Sequence, residues 1–238
     1  MEKIILHTSD TRGHSNFGWL DSYHSFSFGH YYDRERIHFG ALRVLNDDQV
    51  AAGMGFGKHP HDNMEIISIP LEGQLEHKDS MGNTAVIKSG DVQVMSAGTG
   101  ITHSEYNKSS IDPVKFLQIW ILPEKENVTP RYDQITLNKA DRINTLQQIL
   151  SPNRNDEGVW IHQQAWFYLG TFDQNNKVEY AFKKQGNGVY AFVIRGSFEV
   201  HGTILNNRDA VGIQGADHLT IQSLSPEAEI LLMEVPMM

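Results

Sequence analysis

GMGFGKHPHDNME, residues 53–65, and SAGTGITHSEYN, residues 96–107, bracket the stretch whose reading decides the fold and the chemistry of this chain. The first holds His59 and His61, the second His103 and Glu105, each pair spaced i, i+2. Residues two apart in a β-strand project from the same face, so each pair can reach one point in space. Three imidazoles and one carboxylate suit a borderline divalent ion such as iron, nickel, copper, zinc or manganese, with positions left for water or substrate. Glycines at 53, 55, 57, 98 and 100 let the backbone turn closely around both pairs. Closed structural zinc sites are normally built with thiolates, and this chain has no cysteine.

Short strands separated by turn clusters lie between and around these segments: Ile66–Leu71, Gln74–Lys78, Thr84–Lys88 and Val92–Met95, with EG, DSMGN and SGD between them. Upstream, Gly40–Leu45 reads as a strand that Asn46, Asp47 and Asp48 should end, because their side chains favour turns. Downstream, Val114–Leu122 alternates Phe116, Gln118, Trp120 and Leu122 with Leu117, Ile119 and Ile121, a strand buried on both faces with one face towards the metal cavity. Phe56, Met64 and Met95 are candidates for its apolar wall, as they are for plain core. The aromatic segment TRGHSNFGWLDSYHSFSFGHYYD (11–33) reads as a loop-and-strand lid, with Phe26, Phe28 and Tyr31 as candidate wall residues. His14, His24, His30 and His38 lie in or near it without paired spacing and are read as structural hydrogen-bonding residues.

The second half repeats the first in decayed form. VIRGSFEVHG matches PLEGQLEHKD and NRDAVGI matches KSGDVQVM, which aligns Gly196 with Gly73; Phe182 and Lys184 then fall where the ligand histidines would stand. Strands are expected at Ala165–Phe172, Val178–Phe182, Val189–Ile194, Ser197–Val200, Ala210–Ile213, Leu219–Ser223 and Ile230–Val235. Asp141–Leu150 is compatible with a helix or a strand. The expected fold is all-β: two tandem jelly-roll barrels, residues 1–130 with the metal and 153–238 without it, joined by a connecting segment at 131–152.

Twenty basic against 29 acidic residues give a net charge of −9, and no basic cluster is present to meet phosphate, so direct nucleic-acid binding is not expected. No stretch is apolar for long enough to span a bilayer, and the N-terminus MEKIILHTSD lacks a signal pattern. The chain is therefore expected to be soluble and cytoplasmic.

Gly53, His59, His61 and Glu65 resemble the first cupin motif, and Gly90 through His103 to Asn107 the second. HPHDNMEI, LEGQLEHKDSMGN and MSAGTGITHSEYN, with RGHSNFGWLDSYHSFSFGHYYD upstream and QIWILPEKENVTPRY downstream, resemble the pirin family within the cupins. Ser96 in place of proline, and four residues between Gly98 and His103, depart from the general cupin pattern towards the pirin one. The resemblance is closest to bacterial pirin-like quercetin 2,3-dioxygenases. It implies a bicupin with one metal per chain, Fe(II) before Ni, Cu, Zn, Mn or Co, and a flavonol-like aromatic substrate cleaved by O2 with loss of carbon monoxide. Glu105 would then be both ligand and base. It also implies a monomer and an alternative role, a metal-bound regulatory or interaction protein with a protein partner.

Overall fold

The computed structural model describes residues Met1–Met238. Its regular structure is strand, apart from two single-turn 3₁₀ helices, and it forms two barrels, each made of one seven-stranded and one four-stranded sheet; all strand pairs are antiparallel except Gln147–Ser151 with Val159–Trp160 at the edge of the second barrel's large sheet. In the first barrel the large sheet runs in the order Arg131–Thr136, Asp91–Ser96, Glu65–Glu72, Val114–Ile121, Leu42–Val50, Leu20–His24, Gly13–Asn16; the small one runs Gly55–His61, Ile101–Asn107, Gln74–Asp79, Thr84–Lys88. The expected all-β, two-barrel architecture is met.

Alternation explains where the core goes. In Val114–Ile121, Leu117, Ile119 and Ile121 join Leu45, Ile67, Ile69 and Val94 on the outer face of the large sheet. There they pack against Tyr190, Phe192, Leu231 and Met233 from the large sheet of the second barrel, within one cluster of 27 buried residues. The two barrels thus share a continuous apolar core and bury their seven-stranded sheets against each other. Phe39 seals this seam. Its ring fills the space that a Cβ on Gly212 or Gly188 would occupy, so glycine is required on that floor.

The second barrel is filled by its own cluster of 16 buried residues, among them Phe172, Tyr180, Phe198, Leu219 and Ile230. Its buried carboxylate, Glu234, is saturated: it accepts from Tyr180 Oη (2.6 Å), the Lys183 and Lys184 amides (2.8 and 3.0 Å) and Asn187 Nδ2 (2.9 Å). The duplication survives in the turns. Gly73 and Gly196 both take positive φ, 77° and 80°; Asp91 and Asp209 each accept from the amide three residues back, Lys88 and Asn206.

Several expectations about boundaries change. The barrels do not divide at residues 130 and 152: Lys3–His7 pairs with Ala210–Gln214 of the second barrel, Arg131–Thr136 with Asp91–Ser96 of the first, and Gln147–Ser151 belongs to the second. Asp141–Leu150 is neither helix nor strand throughout; a 3₁₀ turn at Lys139–Arg142 precedes the strand. The strand expected to stop before Asn46 continues to Val50, because Leu20–His24 on one side pairs with Asn46–Val50 and Val114–Ile121 on the other pairs along the strand's whole length, overriding the local turn preference.

Candidate metal centre and cavity

Ile101–Asn107 lies between Gly55–His61 and Gln74–Asp79, and its register brings the histidines together. His103 is opposite His59 on one side and Asp79 on the other, while Glu105 is opposite His77. A β-bulge between His103 and Glu105 shifts the register with the first strand, at Gly57–Lys58, and there the Gly57 carbonyl accepts from His59 Nδ1 at 2.8 Å. Bulges turn side chains out of the regular pleat. The rings of His59, His61 and His103 stand 4.3 to 4.9 Å apart, and their ligating nitrogens lie within 4.8 Å of one another.

Hydrogen bonds assign the tautomers. His59 Nδ1 must carry the proton it gives to Gly57, which leaves Nε2 as a lone pair. His77 Nε2 is 3.2 Å from Asp79 Oδ2 and His77 Nδ1 is 3.4 Å from His103 Nδ1, so a chain His103–His77–Asp79 leaves the His103 Nε2 lone pair free. The Nε2 atoms of both His61 and His103 are buried with no partner. Buried polar atoms are rarely left so, and unprotonated nitrogens converging on one point fit a divalent metal. Burial, reinforced by neighbouring histidines, lowers His61 to about 4 and His103 to about 2, so both rings stay neutral donors at physiological pH.

His77 is the residue that the reading of spacing missed. With His103 and Glu105 it forms a second group of potential ligands sharing His103 with the first. Its spacing from the HPH segment carries no signal; only the pairing of Gln74–Asp79 with Ile101–Asn107 brings it in.

Of the buried acids nearest the histidines, Glu65 turns away from the cluster to accept from Ser96 Oγ at 2.7 Å, beside Arg131. Glu105 turns inward. Ser68 Oγ and Gln118 Nε2 lie 3.3 and 3.4 Å from its two oxygens, and burial pushes its carboxyl up to about 7.

A cavity of about 330 Å³ opens beside His59, His61 and Glu105. Phe56 lines it, as do Phe116, Gln118 and Trp120 from one of the two alternating faces of Val114–Leu122. Trp120 packs edge-on against His61 and Phe28, with ring centres 4.9 and 5.3 Å apart. Of the candidate wall residues Phe26, Phe28 and Tyr31, only Phe28 reaches the cavity. Phe26 is buried in the seam against Tyr190, and Tyr31 covers Gly13 and His24, because the segment doubles back at Phe28–Tyr31. Met95 is core; Met64 packs beside it. His24 and His30 also line the cavity, His24 through a hydrogen-bonded network and not as a ligand.

Asp48 lines the same cavity, and burial raises its carboxyl to about 7 against the stabilising hydrogen bond from Ser22. A folded pKa above the unfolded one means that the folded state holds the proton more tightly. Stability is therefore full below the unfolded value near 4 and is lost as pH rises through about 7. Asp48→Asn is expected to stabilise the metal-free protein at pH 8 by roughly 2–4 kcal/mol and to have little effect near pH 4, as read by urea unfolding at the two pH values. An equal effect at both would show that folding leaves the carboxyl's pKa unshifted.

A family model described as pirin matches residues 6–121, and a quercetinase C-terminal cupin domain model matches residues 148–235. The chain is 41% identical to a quercetin 2,3-dioxygenase of Escherichia coli K12 over 98% of its length and 99% of that protein's. It is 38% identical to a pirin-like protein of Caulobacter vibrioides, covering 94% and 96%. The crystal structure of the bacterial pirin YhhW from Escherichia coli in complex with nickel(II) superposes with a TM-score of 0.93 at 39% identity, covering 99% of this chain and 100% of that one.

Proposed function

Because the chain belongs to the pirin family of two-domain cupin proteins, we propose that it is a divalent-metal-dependent dioxygenase that cleaves flavonols such as quercetin with O2 and releases carbon monoxide. The observation that carries this reading is the pair of buried, unpartnered Nε2 atoms of the neutral His61 and His103 rings, set behind a cavity that His59, His61, the buried acid Glu105 and several aromatic rings line. At about 330 Å³ that cavity falls at the lower end of small-molecule sites, roughly 300–1,000 Å³.

His59, His61, His103 and Glu105 would hold the ion, Fe(II) first and Ni, Cu, Zn, Mn or Co as alternatives that the same donors accept. When bound, the metal supplies Lewis acidity towards a substrate oxygen and, for the redox-active ions, an electron path to O2. Glu105 takes the proton of the flavonol 3-hydroxyl; burial raises its affinity for a proton, which offsets part of the lowering that a bound cation imposes. Ser68 and Gln118 fix the direction of its carboxylate. Phe28, Phe56 and Trp120 give a flat ring apolar faces to lie against and keep water from it.

Metal-loaded protein incubated with quercetin in air is expected to consume the flavonol absorbance with release of carbon monoxide above a metal-only control. Metal retention with no carbon monoxide from any flavonol would overturn the dioxygenase reading in favour of the regulatory one.

A further inference from the structure

Three neighbouring strands carry a polar strip along the cavity where a barrel interior is otherwise apolar. Asn46 and Asp48, 3% and 5% exposed, sit two apart on the inner face of Leu42–Val50. Gln118 is opposite Asn46 on one side, and His24 and Ser22 are opposite Asn46 and Asp48 on the other. The strip is internally ordered. Ser22 Oγ donates to Asp48 Oδ1, His24 Nδ1 donates to Asn46 Oδ1 at 2.9 Å, and Ser15 Oγ is 3.2 Å from His24 Nε2. Each bond uses one side of Asn46 and of Asp48. Asn46 Nδ2 and Asp48 Oδ2 make no hydrogen bond to the protein, and both residues line the cavity. A donor and a charged acceptor are thus held side by side with their capacity unspent.

For the barrel alone this arrangement is unfavourable. A buried carboxylate with one hydrogen bond costs stability that a leucine or valine would not, and the raised pKa of Asp48 records that cost. The strip begins beside Gln118, which contacts Glu105, and runs one strand over and two residues along. A strand spacing of about 4.8 Å and a two-residue step of about 6.7 Å put its far end roughly 8 Å from Gln118, the order of one aromatic ring and its substituents beyond the Glu105 end.

We infer that Asn46 and Asp48 form the subsite that recognises vicinal hydroxyl groups on the aromatic ring of the substrate remote from Glu105, selecting catechol-bearing flavonols over unsubstituted ones. One hydroxyl donates to Asp48 Oδ2, and its neighbour accepts from Asn46 Nδ2. Ser22 and His24 are positioning residues that aim these two groups. The inference rests on the proposed function, since it takes the flavonol 3-hydroxyl to lie at Glu105.

The test is equilibrium binding under argon at about pH 8 with the nickel(II)-loaded protein, which excludes turnover. The probes are 3-hydroxyflavone, 3,3′,4′-trihydroxyflavone and the 3′,4′-dimethoxy derivative of the latter, followed by quenching of tryptophan fluorescence. Wild-type protein is expected to bind the trihydroxy compound about tenfold or more tighter than either other probe, the size of a hydrogen bond to a charged group. In Asp48→Asn, which keeps an oxygen for Ser22 but puts a donor in place of Oδ2, that preference should fall to within about twofold. The methylated probe repeats the test on unaltered protein, so the result does not hang on how the variant folds. Equal binding of all three probes by the wild type, or an undiminished preference in Asp48→Asn, overturns the subsite while leaving the dioxygenase reading intact. Binding of none of the probes overturns both.

Discussion

Glu105→Gln is expected to retain its divalent metal and to lose flavonol turnover by about a hundredfold or more, the usual contribution of a general base. Three histidine nitrogens remain to hold the ion, and glutamine keeps the shape of the side chain between Ser68 and Gln118. What disappears is the proton acceptor. Burial raises the acid to about 7 in the metal-free protein and a bound cation draws it down, so kcat/KM should rise with pH through a value below 7 in the wild type and lose this limb in the variant. Metal content measured on the same preparations separates the roles. Loss of the ion would make Glu105 chiefly a ligand; full turnover with metal retained would place the base elsewhere.

His103→Ala should abolish stoichiometric metal binding, whereas His77→Ala should weaken it about 10- to 100-fold without abolishing it. His103 is common to both groups of potential ligands, so its removal leaves neither complete. His77 instead holds the His103 ring through its Nδ1 and is itself tied to Asp79. Competition titration against a chelator reads both values. Equal loss in the two variants would move the ion towards the His77–His103–Glu105 group. Neither substitution should unfold the chain: the first barrel retains its inner cluster of Leu20, Val50, Leu75, Ile87, Val114 and Phe116, and the 27-residue seam lies on the opposite face of the sheet.

The gathering of His59, His61 and His103 was legible in the sequence because a strand has a period of two and sends i and i+2 to one side, while Glu105 falls with His103 and His77 in a second group. The same rule separated Phe116, Gln118 and Trp120 from Leu117, Ile119 and Ile121, and the structure turns the first set to the cavity and the second to the seam. The duplication was legible through turns, where Gly73 and Gly196 need positive φ and Asp91 and Asp209 cap equivalent loops. Tertiary structure decided whatever depends on a partner distant in the chain. His77 joins the cluster only because its strand pairs with Ile101–Asn107. Phe26 leaves the lid for the seam because a second barrel is there to receive it. Asn46–Asp48, a turn by local preference, is strand because two neighbouring strands hydrogen-bond it along its whole length. Side-chain chemistry and backbone period are properties of a few adjacent residues, while pairing and burial are settled by the whole chain, and here that settlement put an Asp and an Asn on the wall of a cavity.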